Sequence, residues 1–179
     1  MTDYQIVESK TLFESPHVCV VMDTLERNGR RWPYFYLASP VEAVTCVALT
    51  NDGQIVLTKQ YRHPIRAVIL DLPGGGVDDG EPIEAAAARE LEEETGFRPG
   101  RIELLCRYNP FPGSLQATMN IFFAADLTPT KQNLDHGEEL EVVLLPAAEV
   151  LQMIGRGEFI DGSVQLGVLM AVQKGLMRL

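Results

Sequence analysis

The feature that most restricts this chain is Gly74–Phe97, GGGVDDGEPIEAAAARELEEETGF, where a glycine run leads into a stretch with four carboxylates in the five residues Glu90–Glu94. Pro82 suits the first turn of a helix, IEAAAARELEEE is strongly helix-forming, and Gly96 is placed as its stop. At about 100° per residue, Glu90, Glu93 and Glu94 fall within one arc of roughly 100°, while Ala87 and Leu91 share a flank able to pack on a sheet. Like charges one turn apart repel, so the cluster resists full ionisation unless cations neutralise it. Oxygen donors at this density suit Mg²⁺ or Mn²⁺. Gly74, Gly75 and Gly76 let the backbone turn sharply beside the helix start, which offers a main-chain carbonyl to the same ion. The alternative reading of these charges is a solvated acidic helix face.

Around this segment the chain reads as strands followed by helices. HVCVVMDTL and WPYFYL flank Arg27-Asn28-Gly29-Arg30, a hairpin signal, and Asn51-Asp52-Gly53 separates EAVTCVAL from QIVLTKQY in a second one. AVILDL, RIELLCRY, TMNIFFAADL and EVVLLP are further strands, with Asn109–Gly113 as a rigid loop. Ala147–Ile154 and Val164–Leu176 have helical spacing, and Leu166, Leu169, Met170, Val172 and Leu176 are expected to form a packing face. The pattern predicts an α/β (α+β) fold, a mixed sheet with helices on its faces.

The 179 residues, 46% apolar and 22% charged, suit one domain with an N-terminal extension. A net charge of −10 without Lys or Arg runs argues against nucleic acid as a partner, though a small phosphate compound remains compatible if metal ions reverse the local sign. With no membrane-spanning run and no signal-peptide pattern, a cytoplasmic location is expected. Cys19, Cys46 and Cys106 read as free thiols, and His17, His63 and His136 lack ligand spacing.

The spacing within the acidic segment is more specific than its composition. Gly75, five residues, Glu81, seven residues, Arg89-Glu90-Leu91, one residue, Glu93-Glu94, one residue, Gly96-Phe97 fits the Nudix box at every specified position. The chain resembles the Nudix hydrolases. The resemblance implies an alpha/beta/alpha sandwich and hydrolysis of a nucleoside diphosphate linked to another moiety, with Mg²⁺ or Mn²⁺ held by Glu90, Glu93, Glu94 and the Gly74 carbonyl. Arg89 and Glu81 would brace the loop and helix, with Gly75 and Gly96 as structural support. Glu93, with Glu138 or Glu139 outside the box, would be the catalytic carboxylates; for the last two, a solvated loop is the competing reading.

Subfamily signals point to the ADP-ribose pyrophosphatases and related nucleoside diphosphate sugar hydrolases. Pro112 lies fifteen residues past Phe97, where that subfamily carries a proline, although NPFPG also reads as a plain turn. Arg62, in QYRHP, matches the arginine that contacts substrate there; a surface strand arginine is its alternative. Residues 1–40 resemble an N-terminal β-extension that mediates homodimerisation, ahead of a hydrolase domain at 41–179. Trp32 is placed either to stack on a nucleobase or as a buried strand aromatic. The chain departs from the subfamily in having Gly74 where many members have alanine, and Phe111-Pro112-Gly113-Ser114-Leu115-Gln116 without a nearby acid, which leaves the sugar open. A nucleoside triphosphate pyrophosphohydrolase is the second enzyme reading, and a non-catalytic ligand sensor the third.

Overall fold

A computed structural model describes residues 3–16 and 18–177; His17 lies outside the described residues. Among the described residues, eleven strands and three α-helices are formed, in a mixed α+β arrangement that divides into two compact units. The first is Met1–Glu42 with Tyr108–Thr118, and the second Ala43–Arg107 with Met119–Leu179.

In the first unit β1 (Gln5–Glu14) pairs antiparallel with β2 (Cys19–Arg27), which pairs with the start of β3 (Arg30–Leu49). The turn between β2 and β3 is the expected Asn-Gly hairpin, with Asn28 and Gly29 both at positive φ (53° and 72°). β1 was not expected from sequence, because all ten of its residues are exposed and it has no apolar periodicity to detect. The two strands expected at WPYFYL and EAVTCVAL are one strand, β3. Proline's fixed φ is compatible with extended backbone, so the prolines in this run mark missing ladder donors, not a strand end. Residues 108–118 are tied to β3 by the Tyr34 hydroxyl, which donates to the Gly113 carbonyl at 2.6 Å, and by Leu37 N–H to Ser114 O at 2.9 Å.

The second unit carries the main core. The far end of β3 pairs with β4 (Gln54–Arg62) and with the short β6 (Gly74–Gly76); β4 also pairs with β5 (Ala67–Asp71) and β11 (Leu140–Pro146). β9 (Leu115–Ala125) pairs with β3 and with β8 (Arg101–Tyr108), while β7 (Phe97–Arg98) and β10 (Thr128–Pro129) form a separate two-stranded ladder. Alternation along β3 separates two cores. Val44, Cys46 and Ala48 meet Ala86, Ala87 and Leu91 of α1 (Ile83–Thr95), the flank expected to pack. Val47 points instead at α3 (Gly162–Gln173): a Cβ on Gly167 would lie 2.8 Å from Val47 and 2.9 Å from Ile121.

That close approach corrects the expected packing face of α3. The buried residues are Ser163, Val164, Gly167, Val168 and Ala171, with Leu166 and Met170 only partly buried and Leu169 exposed. The helix is apolar on most sides, so spacing alone did not select a face; the small residues win because they let the helix sit nearer the sheet. α2 (Ala147–Gly155) follows β11 directly and buries Val150.

Candidate active site

α1 begins after Pro82, whose carbonyl accepts from Ala85 and Ala86 N–H, and ends at Gly96 in the left-handed conformation (φ 70°). Its last carbonyls find partners in residues 130–133: Asn133 N–H donates to Glu93 O and the Gln132 side chain to Glu94 O, both at 2.8 Å. A Cβ on Gly96 would lie 3.0 Å from Gln132 N, so turn geometry and close packing both require glycine there.

Arg89 organises the start of the acidic face. Its Nε and Nη2 donate to the two carboxylate oxygens of Glu81 at 3.0 and 2.9 Å, Nη2 also to the Gly76 carbonyl at 3.1 Å, and Nη1 to Glu90 and Glu93 at 2.8 and 3.1 Å. This bidentate fork holds the Glu81 carboxyl below the usual carboxylate range. The family resemblance implied the pairing of Arg89 with Glu81; the further bonds to Glu90 and Glu93 went unseen, because they depend on side-chain direction and not on position.

Glu94 is buried, and its Oε2 accepts from Gly74 N–H at 2.8 Å. Burial pushes its carboxyl up to about 7; the Gly74 bond and the nearby Arg62 charge oppose the shift, while Glu90 and Glu138 add to it. Burial likewise raises Glu90, with Arg89 opposing and Glu93 and Glu138 reinforcing. The glycines make this approach possible: a Cβ on Gly74 would lie 2.1 Å from Val44 O, and one on Gly75 2.6 Å from the Glu90 carboxylate.

Among the described residues, no group of three or more His, Cys, Asp or Glu is gathered as a ready metal-binding set. The reason is local: Arg89 draws Glu90 and Glu93 toward itself and Glu94 turns onto the Gly74 amide. The donor chemistry nevertheless fits a hard divalent cation. Two partly desolvated carboxylates with raised pKa values lie against a glycine backbone whose carbonyls are also oxygen donors, and positive charge is what such a group lacks.

Arg62 is exposed at the end of β4, as a surface strand arginine would be, and its Nη2 donates to Asp71 Oδ2 at 2.6 Å. Asp71 is buried, and its second oxygen accepts from Leu72 N–H at 2.9 Å. Asp71 was missed as a site residue, although an acid interrupting the apolar run AVILDL was a visible signal. Glu138 is exposed, yet close enough for its charge to raise both Glu90 and Glu94; Glu139 is exposed as well. Trp32 and Pro112 belong to the first unit. Trp32 is half-buried, edge-on to Tyr4 with ring centroids 5.8 Å apart. Pro112 lies in a turn shaped by Asn109, whose side chain accepts from Phe111 N–H and donates to Leu115 O.

Residues 39–163 match the NUDIX domain. The chain belongs to the NUDIX family. It is 30% identical over 128 residues to an ADP-ribose pyrophosphatase of Bacillus subtilis, covering 70% of this chain and 69% of that one. It is 33% identical over 166 residues to a methanol dehydrogenase activator of Bacillus methanolicus, covering 90% and 89%. A crystal structure of an ADP compounds hydrolase superposes with a TM-score of 0.89 at 28% identity, covering 98% of this chain and 97% of that one. This chain is therefore a Nudix hydrolase with the fold expected of it, and it resembles the ADP-ribose pyrophosphatases. Among the described residues no helix is long and apolar enough to cross a membrane.

Proposed function

We propose that this Nudix hydrolase cleaves the pyrophosphate bond of a nucleoside diphosphate sugar, ADP-ribose foremost, to give AMP and ribose 5-phosphate. The observation that carries the reading is Glu94: a buried carboxylate raised to about 7, anchored on the glycine loop and within electrostatic reach of Arg62. The names of the ADP-ribose pyrophosphatases and the ADP compounds hydrolase it resembles supply the substrate class.

Glu90, Glu93, Glu94 and the Gly74 carbonyl are the residues to hold Mg²⁺ or Mn²⁺. When bound, such an ion neutralises phosphate oxygens and lowers the pKa of water. Arg89 keeps Glu90 and Glu93 oriented, and Glu81 keeps Arg89 in place. Arg62, with Asp71 fixing one of its nitrogens, presents its remaining N–H groups to a phosphate. Glu138 is favoured over Glu139 to take the proton of the attacking water, because its charge reaches the glutamate cluster. Trp32 remains the base-stacking residue of this proposal and Pro112 the substrate-loop proline.

The same proposal takes the first unit, residues 1–40 above all, as the dimerisation element of a cytoplasmic homodimer and 41–179 as the hydrolase domain. Its support is the outer strand β1, exposed along its whole length, with Ile6 at 64% and Phe13 at 56% exposure, alongside Phe35 of β3 at 55%. Light scattering on the purified chain gives the mass of two copies if this is right.

A chromatographic screen of nucleotides with Mg²⁺ tests the chemistry. AMP and ribose 5-phosphate from ADP-ribose are expected, and inorganic pyrophosphate from a triphosphate as the faster reaction would replace this reading with the triphosphate one.

A further inference from the structure

Beside Gly74 and Gly75 lies a cavity of about 220 Å³ that the Nudix box does not account for. Its polar side chains are Thr45, Arg62, Asp71, Asp161 and Ser163, contributed by β3, β4, β5 and the start of α3. Arg62 and Asp71 are paired in its wall at 2.6 Å, and Gly74, which also lines it, donates its N–H to Glu94 at 2.8 Å. The cavity thus adjoins the glutamate cluster across Gly74.

What fits there follows from its chemistry. At 220 Å³ it is smaller than the roughly 300–1,000 Å³ that enclose a whole drug-sized ligand, so it takes one end of a substrate. Among the described residues no aromatic side chain lines it, which leaves a nucleobase without a stacking partner. One guanidinium against two carboxylates tolerates a single phosphate near Arg62 and repels a second. Carboxylates accept hydrogen bonds and donate none, so the remainder of the guest must be neutral and rich in donors. Sugar hydroxyls meet that description.

Asp161 is the residue with capacity to spare. Thr45 already donates to the Pro73 carbonyl at 3.1 Å, and Asp71 already serves Arg62 and Leu72 N–H. Asp161 caps α3 through Oδ1 alone, accepting from Ser163 N–H at 2.6 Å, so Oδ2 can serve the cavity. We infer that this cavity is the subsite for the terminal sugar of the diphosphate substrate, and that Asp161 selects it by accepting hydrogen bonds from adjacent hydroxyls. The assignment rests on the nucleoside diphosphate sugar reading and adds to it the direction in which the substrate lies: sugar toward Asp161, nucleoside away from it.

Asp161→Ser tests this while keeping a competent helix cap, since serine and aspartate cap about equally well. The first measurement is the ratio of kcat/KM for ADP-ribose to that for ADP ethyl ester, which carries the diphosphate without a sugar. A site that binds substrate hydroxyls discriminates strongly against an analogue lacking them, so the ratio should fall at least tenfold in the variant. An equal fall for both compounds, or an unchanged ratio, overturns the assignment. The second measurement is calorimetric binding of ribose 5-phosphate, with the Kd expected to rise at least tenfold in Asp161→Ser. Equal binding by both proteins, or none by the wild type, overturns it. If the wild type hydrolyses neither ADP compound, the pyrophosphatase reading fails, and the binding measurement alone decides the fate of the cavity.

Discussion

In the second unit the side chains in costly places are carboxylates: Glu94 and Asp71 are buried, and burial raises the pKa of both. In the first unit, apart from Asp23, which is buried on β2, they are apolar: β1 buries none of its ten residues, and Ile6, Phe13 and Phe35 are more than half exposed. The two departures are handled differently. The second unit offsets its buried charge internally, with Arg89 bonded to Glu81, Glu90 and Glu93, Arg62 bonded to Asp71, and the Gly74 amide bonded to Glu94. β1 has no cover of its own, since it is joined to the unit by ladder bonds to β2 on one side. Misplaced charge with internal partners reads as a site prepared for a ligand, whereas misplaced apolar surface without them reads as a surface for a partner.

The largest expected effect strikes the charged side of that contrast. Glu94→Gln removes the ionisable group nearest the glycine loop while keeping an acceptor for the Gly74 N–H. It should lower kcat for ADP-ribose at least 100-fold, about 2.7 kcal/mol in the barrier. Turnover near the wild-type rate, measured by AMP release, would show that the buried carboxylate is structural.

The same variant sharpens the comparison through stability. With chelator present, the folded-state pKa of Glu94 is about 7 against an ordinary 4.5. A folded pKa raised above the unfolded one means that stability is fully present below about 4.5 and is lost as pH rises toward 7. The loss is on the order of 3 kcal/mol if the whole shift is expressed. Glu94→Gln should therefore match the wild type near pH 4 in thermal melts and exceed it at pH 8, with the gap closing on addition of Mg²⁺. A variant less stable at pH 8 would contradict the idea that ionised Glu94 opposes folding.

How much of this was legible in sequence divides along the same line. The box helix, its glycine stop and its packing flank were readable, because each depends on spacing along one element, while the Arg89–Glu81 pair came only through the family resemblance. Asp71 and Asp161 were not assigned, because their role arises only when β5 and the start of α3 meet around one cavity. β1 escaped notice for the opposite reason: a strand that buries nothing leaves no hydrophobic period, and its two register shifts blur even the alternation that remains. The packing face of α3 failed because small residues carry little weight in an apolar pattern, although they decide how close a helix can come.

A smaller effect is expected at Gly75, where the contact to be disturbed is the mobile end of a side chain. An alanine Cβ there would lie 2.6 Å from the Glu90 carboxylate, which must then swing away. Gly75→Ala should lower kcat roughly 10-fold through misplacement of one carboxylate, while changing stability by about 1 kcal/mol or less. Unaltered kcat would mean that Glu90's position is not needed.

The smallest effect on the folded chain, and the most direct test of the apolar side of the contrast, is Phe13→Asp. Phe13 is 56% exposed on β1, opposite Val20 in the ladder, so an exposed acid there should change the unfolding free energy of the isolated chain by only about 0.5 kcal/mol. If β1 lies in a two-fold contact, however, each dimer receives two such charges at the interface, where unpaired carboxylates are strongly disfavoured. Sedimentation should then show the wild type as two copies and the variant shifted toward one. Because Phe13 belongs to the unit that holds none of the box glutamates, a monomeric variant also separates assembly from metal binding. Retained Mg²⁺ affinity with lost dimerisation is the expected pair of results, and a variant that stays dimeric would remove β1 from the interface.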